Sequence, residues 1–340
     1  MMAADLYGDI APPPETTWRD YVPGLIVAAL ATLAAAYLSE HYGAPLTLMS
    51  LLIGLALNFL GHDKRLRVGL GFASRTLLRS GIVLVGARVT LGDMLALGPE
   101  ALIAILLIVA LTMGAGVAAS RALGQGSAFG ALAGGAVAIC GASAALALAT
   151  TLGERRAGQA RLALVLVGIS AASSLAMVAY PAFALQLGLS DRAAGFMLGA
   201  AIHDVAQALG AGYSYSTEAG ETAAIVKLAR VALLAPVLAI VALFLPRGER
   251  GTTRGIGLPW FVVGFFLVAA ANSMGAVPAA AGVAAGQAAA ALLACAVAAT
   301  GILSPMGELL KAGPKPLLVI ALATSAALAL SAGAALLLLG

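Results

Sequence analysis

The chain reads as long apolar runs separated by short stretches rich in charge, glycine or proline. Splitting at those breaks leaves eleven segments, near 22–39, 44–60, 68–88, 99–120, 127–152, 157–187, 191–213, 222–246, 257–274, 279–306 and 315–339. About 20 apolar residues span a bilayer as a helix, so each run predicts one transmembrane helix. The 44–60 run is short and the 157–187 run is long, which predicts tilt or an interfacial extension.

Composition removes the competing classes. Of the 340 residues, 61% are apolar, only 10% are charged, and the mean hydropathy is +1.02. A soluble surface draws on about 25% charged residues, so a soluble enzyme, a nucleic-acid binder and a disordered chain are excluded together. The fold class is an all-α polytopic membrane protein with the lipid bilayer as its partner. Residues 1–21 hold four acids, one arginine and Pro12-Pro13-Pro14; they lack the basic start of a cleaved signal peptide and read as a cytoplasmic tail. Cys140 and Cys295 lie in apolar helices, so no disulfide framework is expected. His41, His62 and His203 are too scattered for a metal site, and no cofactor is implied.

Positive loops tend to stay in the cytoplasm. Counting eleven crossings, the N-terminal side carries Arg19, Lys64, Arg65, Arg67, Arg121, Arg192, Arg247, Arg250, Arg254, Lys311 and Lys315. This predicts the N-terminus inside and the C-terminus outside. Arg155, Arg156 and Arg161 break the pattern, as they would if the 127–152 run did not cross simply.

Two internal matches suggest a repeat. Leu52-Ile53-Gly54-Leu55-Ala56-Leu57-Asn58 aligns with Met197-Leu198-Gly199-Ala200-Ala201-Ile202-His203, and Ala136-Val137-Ala138-Ile139-Cys140-Gly141 aligns with Ala296-Val297-Ala298-Ala299-Thr300-Gly301. Both pair helix n with helix n+5, so helices two to six (44–187) would repeat as helices seven to eleven (191–340), with 22–39 extra. An odd number of helices per unit inverts the second copy, which is the plan of secondary transporters with discontinuous helices crossing near the midplane.

The expected breaks fall in the fifth and tenth runs. Gly134, Gly135, Cys140, Gly141 and Ser143 weaken the fifth as a helix, and Ser304-Pro305 weakens the tenth. Irregular backbone at membrane depth survives only against protein or a wet cavity. Two half-helix N-termini meeting there would offer N–H groups and partial positive charge to an anion. The candidate substrate ligands are Cys140, Gly141, Ala142, Ser143, Thr300, Gly301 and Ser304, with Asn58 as the repeat counterpart of His203. The competing reading is that these small residues only permit close packing.

Ile139-Cys140-Gly141-Ala142-Ser143-Ala144, His203-Asp204-Val205-Ala206-Gln207 and Pro259-Trp260-Phe261 resemble the signature blocks of the YeiH-type sulfate exporter family. The resemblance runs in order from Leu46 to the C-terminus. It implies a bacterial inner-membrane protein related to the sodium/proton-antiporter and bile-acid-symporter superfamily, a sulfate-like substrate, and a homodimer. The family pattern often has Glu where this chain has Asp204.

Ionisable groups inside spans are functional candidates by default. His203 and Asp204 fall mid-helix in the seventh run, with Gln207 on the face of His203; they would carry a coupling proton or form a structural pair. Arg75 and Arg79 share one helix face, and Lys227 and Arg230 share another. Arg79, about 16 Å along its helix, is the leading substrate contact because guanidinium suits tetrahedral oxyanions. Arg75, Lys227 and Arg230 are secondary; for Arg75 and Lys227 the alternative is snorkelling, or pairing with Asp93, Glu218 or Glu221. The sequence thus predicts a non-enzymatic secondary transporter of a small inorganic anion, coupled to H⁺ or Na⁺. A sodium/proton antiporter of the same fold is the alternative, and an intramembrane enzyme using Cys140 or Ser143 with His203 is a third.

Overall fold

The computed structural model describes residues 17–42, 44–153, 155–243, 260–304 and 313–339. No strand occurs among them, and seven helical segments are long and apolar enough to cross a membrane. These are α1 (Trp18–Tyr42), α3 with α4 (Lys64–Val85), α6 (Gly98–Ala122), α9 (Gln159–Gln186), α12 with α13 (Thr217–Leu243), α15 (Ala279–Ile302) and α16 (Pro314–Leu338). A π-helical turn, Ala73–Leu77, joins α3 (Lys64–Phe72) to α4 (Leu78–Val85). The shorter α2 (Leu46–Ala56) runs into a 3-10 turn at Asn58–His62; α5 (Leu91–Ala96) and α14 (Trp260–Ser273) are also short.

Two of the eleven expected spans are not single helices. Residues 127–152 form half-length helices α7 (Ser127–Ala138) and α8 (Ala142–Leu152). A β-carbon on Gly135 would overlap the Leu148 side chain, whereas a straight rod would hold those positions about 20 Å apart. The arms therefore lie side by side as a helical hairpin. Residues 191–215 do the same with α10 (Asp191–Ala201) and α11 (Val205–Tyr215). β-Carbons on Gly195 of α10 and Gly212 of α11 would stand 2.5 and 2.9 Å from one carbonyl oxygen, that of Ala219. Both arms thus pass α12 at the same level.

Local chemistry explains the reversals. At the first tip Gly141 has φ +67°, ψ −119°, a backbone region open essentially to glycine. At the second, Ile202 turns extended (φ −76°, ψ 136°) and Asp204 caps the next helix. The one long helix α9 separates the hairpins, so the first opens at the end where α9 begins and the second where α9 finishes. The tips meet from opposite ends. Asp191 and Arg192 accordingly lie at the opposite end from Arg155, Arg156 and Arg161, which return to the end that holds Arg121. Counting the first hairpin as a crossing is what set Arg155, Arg156 and Arg161 apart from Arg121, and the hairpins set Arg192 apart instead.

The tenth run differs from expectation. α15 continues unbroken through Thr300 and Gly301 to Ile302, and Pro305, Glu308 and Lys311 lie outside the described residues. Gly301 serves contact: its β-carbon would stand 2.9 Å from the Gly54 carbonyl carbon and the Leu51 oxygen of α2. Small residues allow two helix backbones to approach in this way. Ala136 to Gly141 therefore ends a hairpin arm while its sequence match, Ala296 to Gly301, lies in continuous helix. The discontinuous pair is α7–α8 with α10–α11, and the residue match does not extend to the backbone.

Candidate functional site

Gly141 stands against the second tip, its would-be β-carbon 3.7 Å from the carbonyl carbon and oxygen of His203. Beside this contact is a cavity of about 30 Å³, room for about one water. The first hairpin contributes Gly141 and Ala142, and the second contributes His203, Asp204 and Gln207. Ser170 of α9 and Thr300 of α15 complete the polar lining.

The α8 N-terminus has no side-chain cap, and Ala142 and Ser143 in its first turn are exposed. The α11 N-terminus is different: the Asp204 carboxylate accepts from the N–H groups of Ala206 at 2.9 Å and Gln207 at 3.3 Å. One half-helix N-terminus is thus open and the other is closed by a carboxylate. Asp204 is a helix cap at a helix break, not a mid-helix residue, and its own N–H donates to Ser173 Oγ at 3.0 Å. His203 pairs through Nε2 with Thr324 Oγ1 of α16 at 3.1 Å, while its buried Nδ1 has no partner. Gln207 donates to Ser174 Oγ at 2.9 Å.

Behind the tips lie two fully buried cations of α12. Lys227 Nζ donates to the carbonyls of Ile139 (2.9 Å) and Ile202 (2.7 Å), one from each tip. Arg230 donates to the carbonyls of Val137, Ala138, Gly199 and Ile202. These are the last-turn carbonyls of α7 and α10, which a continued helix would have satisfied. Among the described residues neither cation has a carboxylate within ion-pair distance, contrary to the pairing with Asp93, Glu218 or Glu221 considered for Lys227.

Other expected ligands lie elsewhere. Arg75 and Arg79 line a separate groove with Tyr21 and Arg67, and the Arg79 guanidinium sits 5.7 Å from the Phe261 ring centre. That groove shares no lining residue with the tip cavity. Asn58 lies apart from the tip cavity: its amide donates to the carbonyls of Gly301, Ile302 and Ser304 and closes the end of α15. Gly301 is in the α2 contact, Ser304 is buried beyond α15, and Cys140 is buried without lining the cavity. Both cysteines are free. Pro259 of the third signature block lies outside the described residues.

Sequence reasoning missed Ser170, Ser173, Ser174 and Thr324. The three serines follow helical spacing within an otherwise apolar run, a polar stripe that could have marked the face of α9 toward the tips.

The family model described as Conserved hypothetical protein 698 matches residues 23–320. The chain is 46% identical over 296 residues to UPF0324 membrane protein TauZ of Paracoccus denitrificans, covering 86% of this chain and 88% of that one. It is 44% identical over 324 residues to the protein of the same name in Paracoccus pantotrophus, covering 94% and 95%. A UPF0324 membrane protein of Chlorobaculum tepidum is 45% identical over 262 residues, covering 76% and 73%. The resemblance to YeiH-type proteins is consistent with these matches. No solved structure matches the chain.

Proposed function

The chain belongs to the UPF0324 family of membrane proteins, and we propose that it is a secondary active transporter of a small inorganic anion. Sulfate or a related sulfur oxyanion is the proposed substrate class, handled by alternating access. The observation that carries this reading is the open N-terminus of α8 at the meeting point of two hairpin tips. Each helix terminus bears roughly half a charge. Two C-termini (about −1 together) and Asp204 (−1) oppose two N-termini (about +1 together) and the cations Lys227 and Arg230 (+2). With both cations charged, the excess is about +1, which favours an anion at the one N-terminus lacking its own carboxylate.

In this reading Ala142, Ser143 and Gln207 offer donors to the anion, and His203 with Asp204 is the proposed place for a coupling proton. A one-water cavity corresponds to a closed state that must widen to admit an oxyanion. Arg79 is no longer a tip ligand. The topology proposed is nine crossings and two re-entrant hairpins. By the positive-inside rule, the end with Arg121, Arg155, Arg156 and Arg161 lies in the cytoplasm.

The test is flux of radiolabelled sulfate and sulfite in proteoliposomes. Saturable flux is expected, with a raised KM in Ser143→Ala and in Gln207→Ala. Flux of neither anion, or flux indifferent to both substitutions, would remove the assignment. Na⁺-dependent proton movement without any anion would favour the antiporter reading instead.

A further inference from the structure

The four carbonyls held by Arg230 form a cage drawn from two helix breaks, not from one helix end. Val137 and Ala138 belong to the first hairpin, and Gly199 and Ile202 to the second. Lys227 adds a second bridge through Ile139 and Ile202. In transporters built from broken helices, unwound carbonyls and half-helix C-termini are the groups that coordinate a coupling sodium ion. They suit it because they are oxygen ligands carrying partial negative charge. Here those same oxygens are already occupied by a side chain that carries its charge permanently.

We infer that Arg230, assisted by Lys227, is a built-in counter-cation that takes the place of a coupling sodium ion between the hairpin tips and makes the carrier sodium-independent. This rests on the transporter reading above and goes beyond it by excluding Na⁺ from this cage. The role is one of positioning, since Arg230 lies behind the tips and reaches the cavity only through their backbone. A planar fork can hold four carbonyls drawn from both hairpins at once, as Arg230 does; Lys227, with one nitrogen, holds a single carbonyl of each tip. Both tips then move as one unit, because separating them would strip buried donors and acceptors of their partners.

The experiment has a readout that needs no transport. The melting midpoint of the purified full-length protein is measured in choline, potassium and sodium chloride at equal ionic strength. The wild type is expected to melt at the same temperature in all three. Arg230→Ala should melt lower in choline, by about 5 °C, and recover saturably with millimolar guanidinium or with sodium. Arg230→Met, which fills the space without charge, should not recover.

A saturable sodium-induced rise in the wild type would overturn the proposal. So would Arg230→Ala melting like wild type. Should Arg230→Ala fail to fold, Lys227→Ala with methylammonium or sodium applies the same test to the second bridge. Recovery there supports the proposal, and its absence overturns it. Anion flux in liposomes is scored separately. Loss of sulfate flux with intact cation rescue sinks the substrate reading alone, while sodium-stimulated sulfate flux in the wild type sinks the counter-cation alone.

Discussion

Gly141 lies against His203 at the point where two helical hairpins, entering from opposite ends of the bundle, touch. The contact is backbone to backbone, so it depends on the glycine's conformation more than on its volume. A β-carbon there would meet His203 at 3.7 Å, an ordinary contact distance, while φ of +67° with ψ of −119° is closed to other residues. Gly141→Ala is therefore expected to cost about 1–3 kcal/mol through backbone strain alone. The melting midpoint should fall and anion flux should be lost. A variant of wild-type stability and flux would contradict the tip geometry.

Asp204 closes the α11 N-terminus with its carboxylate. Asparagine keeps the cap, because its side-chain oxygen can accept the same bonds, but removes a negative charge from the cavity wall. Asp204→Asn should therefore hold its stability and bind the anion more tightly, seen as a lower KM. Asp204→Ala loses the cap and should lose about 1 kcal/mol of stability. A weaker KM in Asp204→Asn would show that the carboxylate itself serves the substrate or its coupling proton.

Arg79 lines a groove apart from the tips. Sites without shared partners combine additively to within about 0.5 kcal/mol. Arg79→Ala should therefore change the KM for the anion by about twofold or less. Abolished flux in a well-folded Arg79→Ala would restore the arginine to the transport path.

The first hairpin places residues 121 and 161 at one end and residue 192 at the other. In a background with Cys140 and Cys295 replaced by alanine, a membrane-impermeant thiol reagent should label Arg121→Cys and Arg161→Cys from the same side of sealed vesicles. Arg192→Cys should react only from the opposite side. Labelling of Arg161→Cys together with Arg192→Cys would mean that residues 127–152 cross after all.

The chain by itself determined the solvent it folds in. With 10% charged residues and a mean hydropathy of +1.02, no water-facing surface can be assembled, and every long apolar run must satisfy its backbone internally as helix. It also marked residues 139–144 as a weak point in a helix and His203 and Asp204 as ionisable groups inside a span, and the tertiary structure brings both to one cavity. Which glycine breaks a helix and which merely lets another helix approach was decided only in three dimensions. Gly141 and Gly301 look equivalent in sequence, yet one turns a hairpin and the other packs on Gly54.

Arg79 and Arg230 show the same division. Periodicity places each on a helix face, but depth and partners depend on what packs there. α7 and α10 end in mid-protein and leave carbonyls that need donors, so the helix beside them fixes Arg230 as a structural cation. Arg79 meets an aromatic ring and an open groove. Local sequence carries helix propensity and hydropathy; the reversal of a chain within the bilayer is settled by contacts between distant segments, and those contacts decide which buried charges face the site.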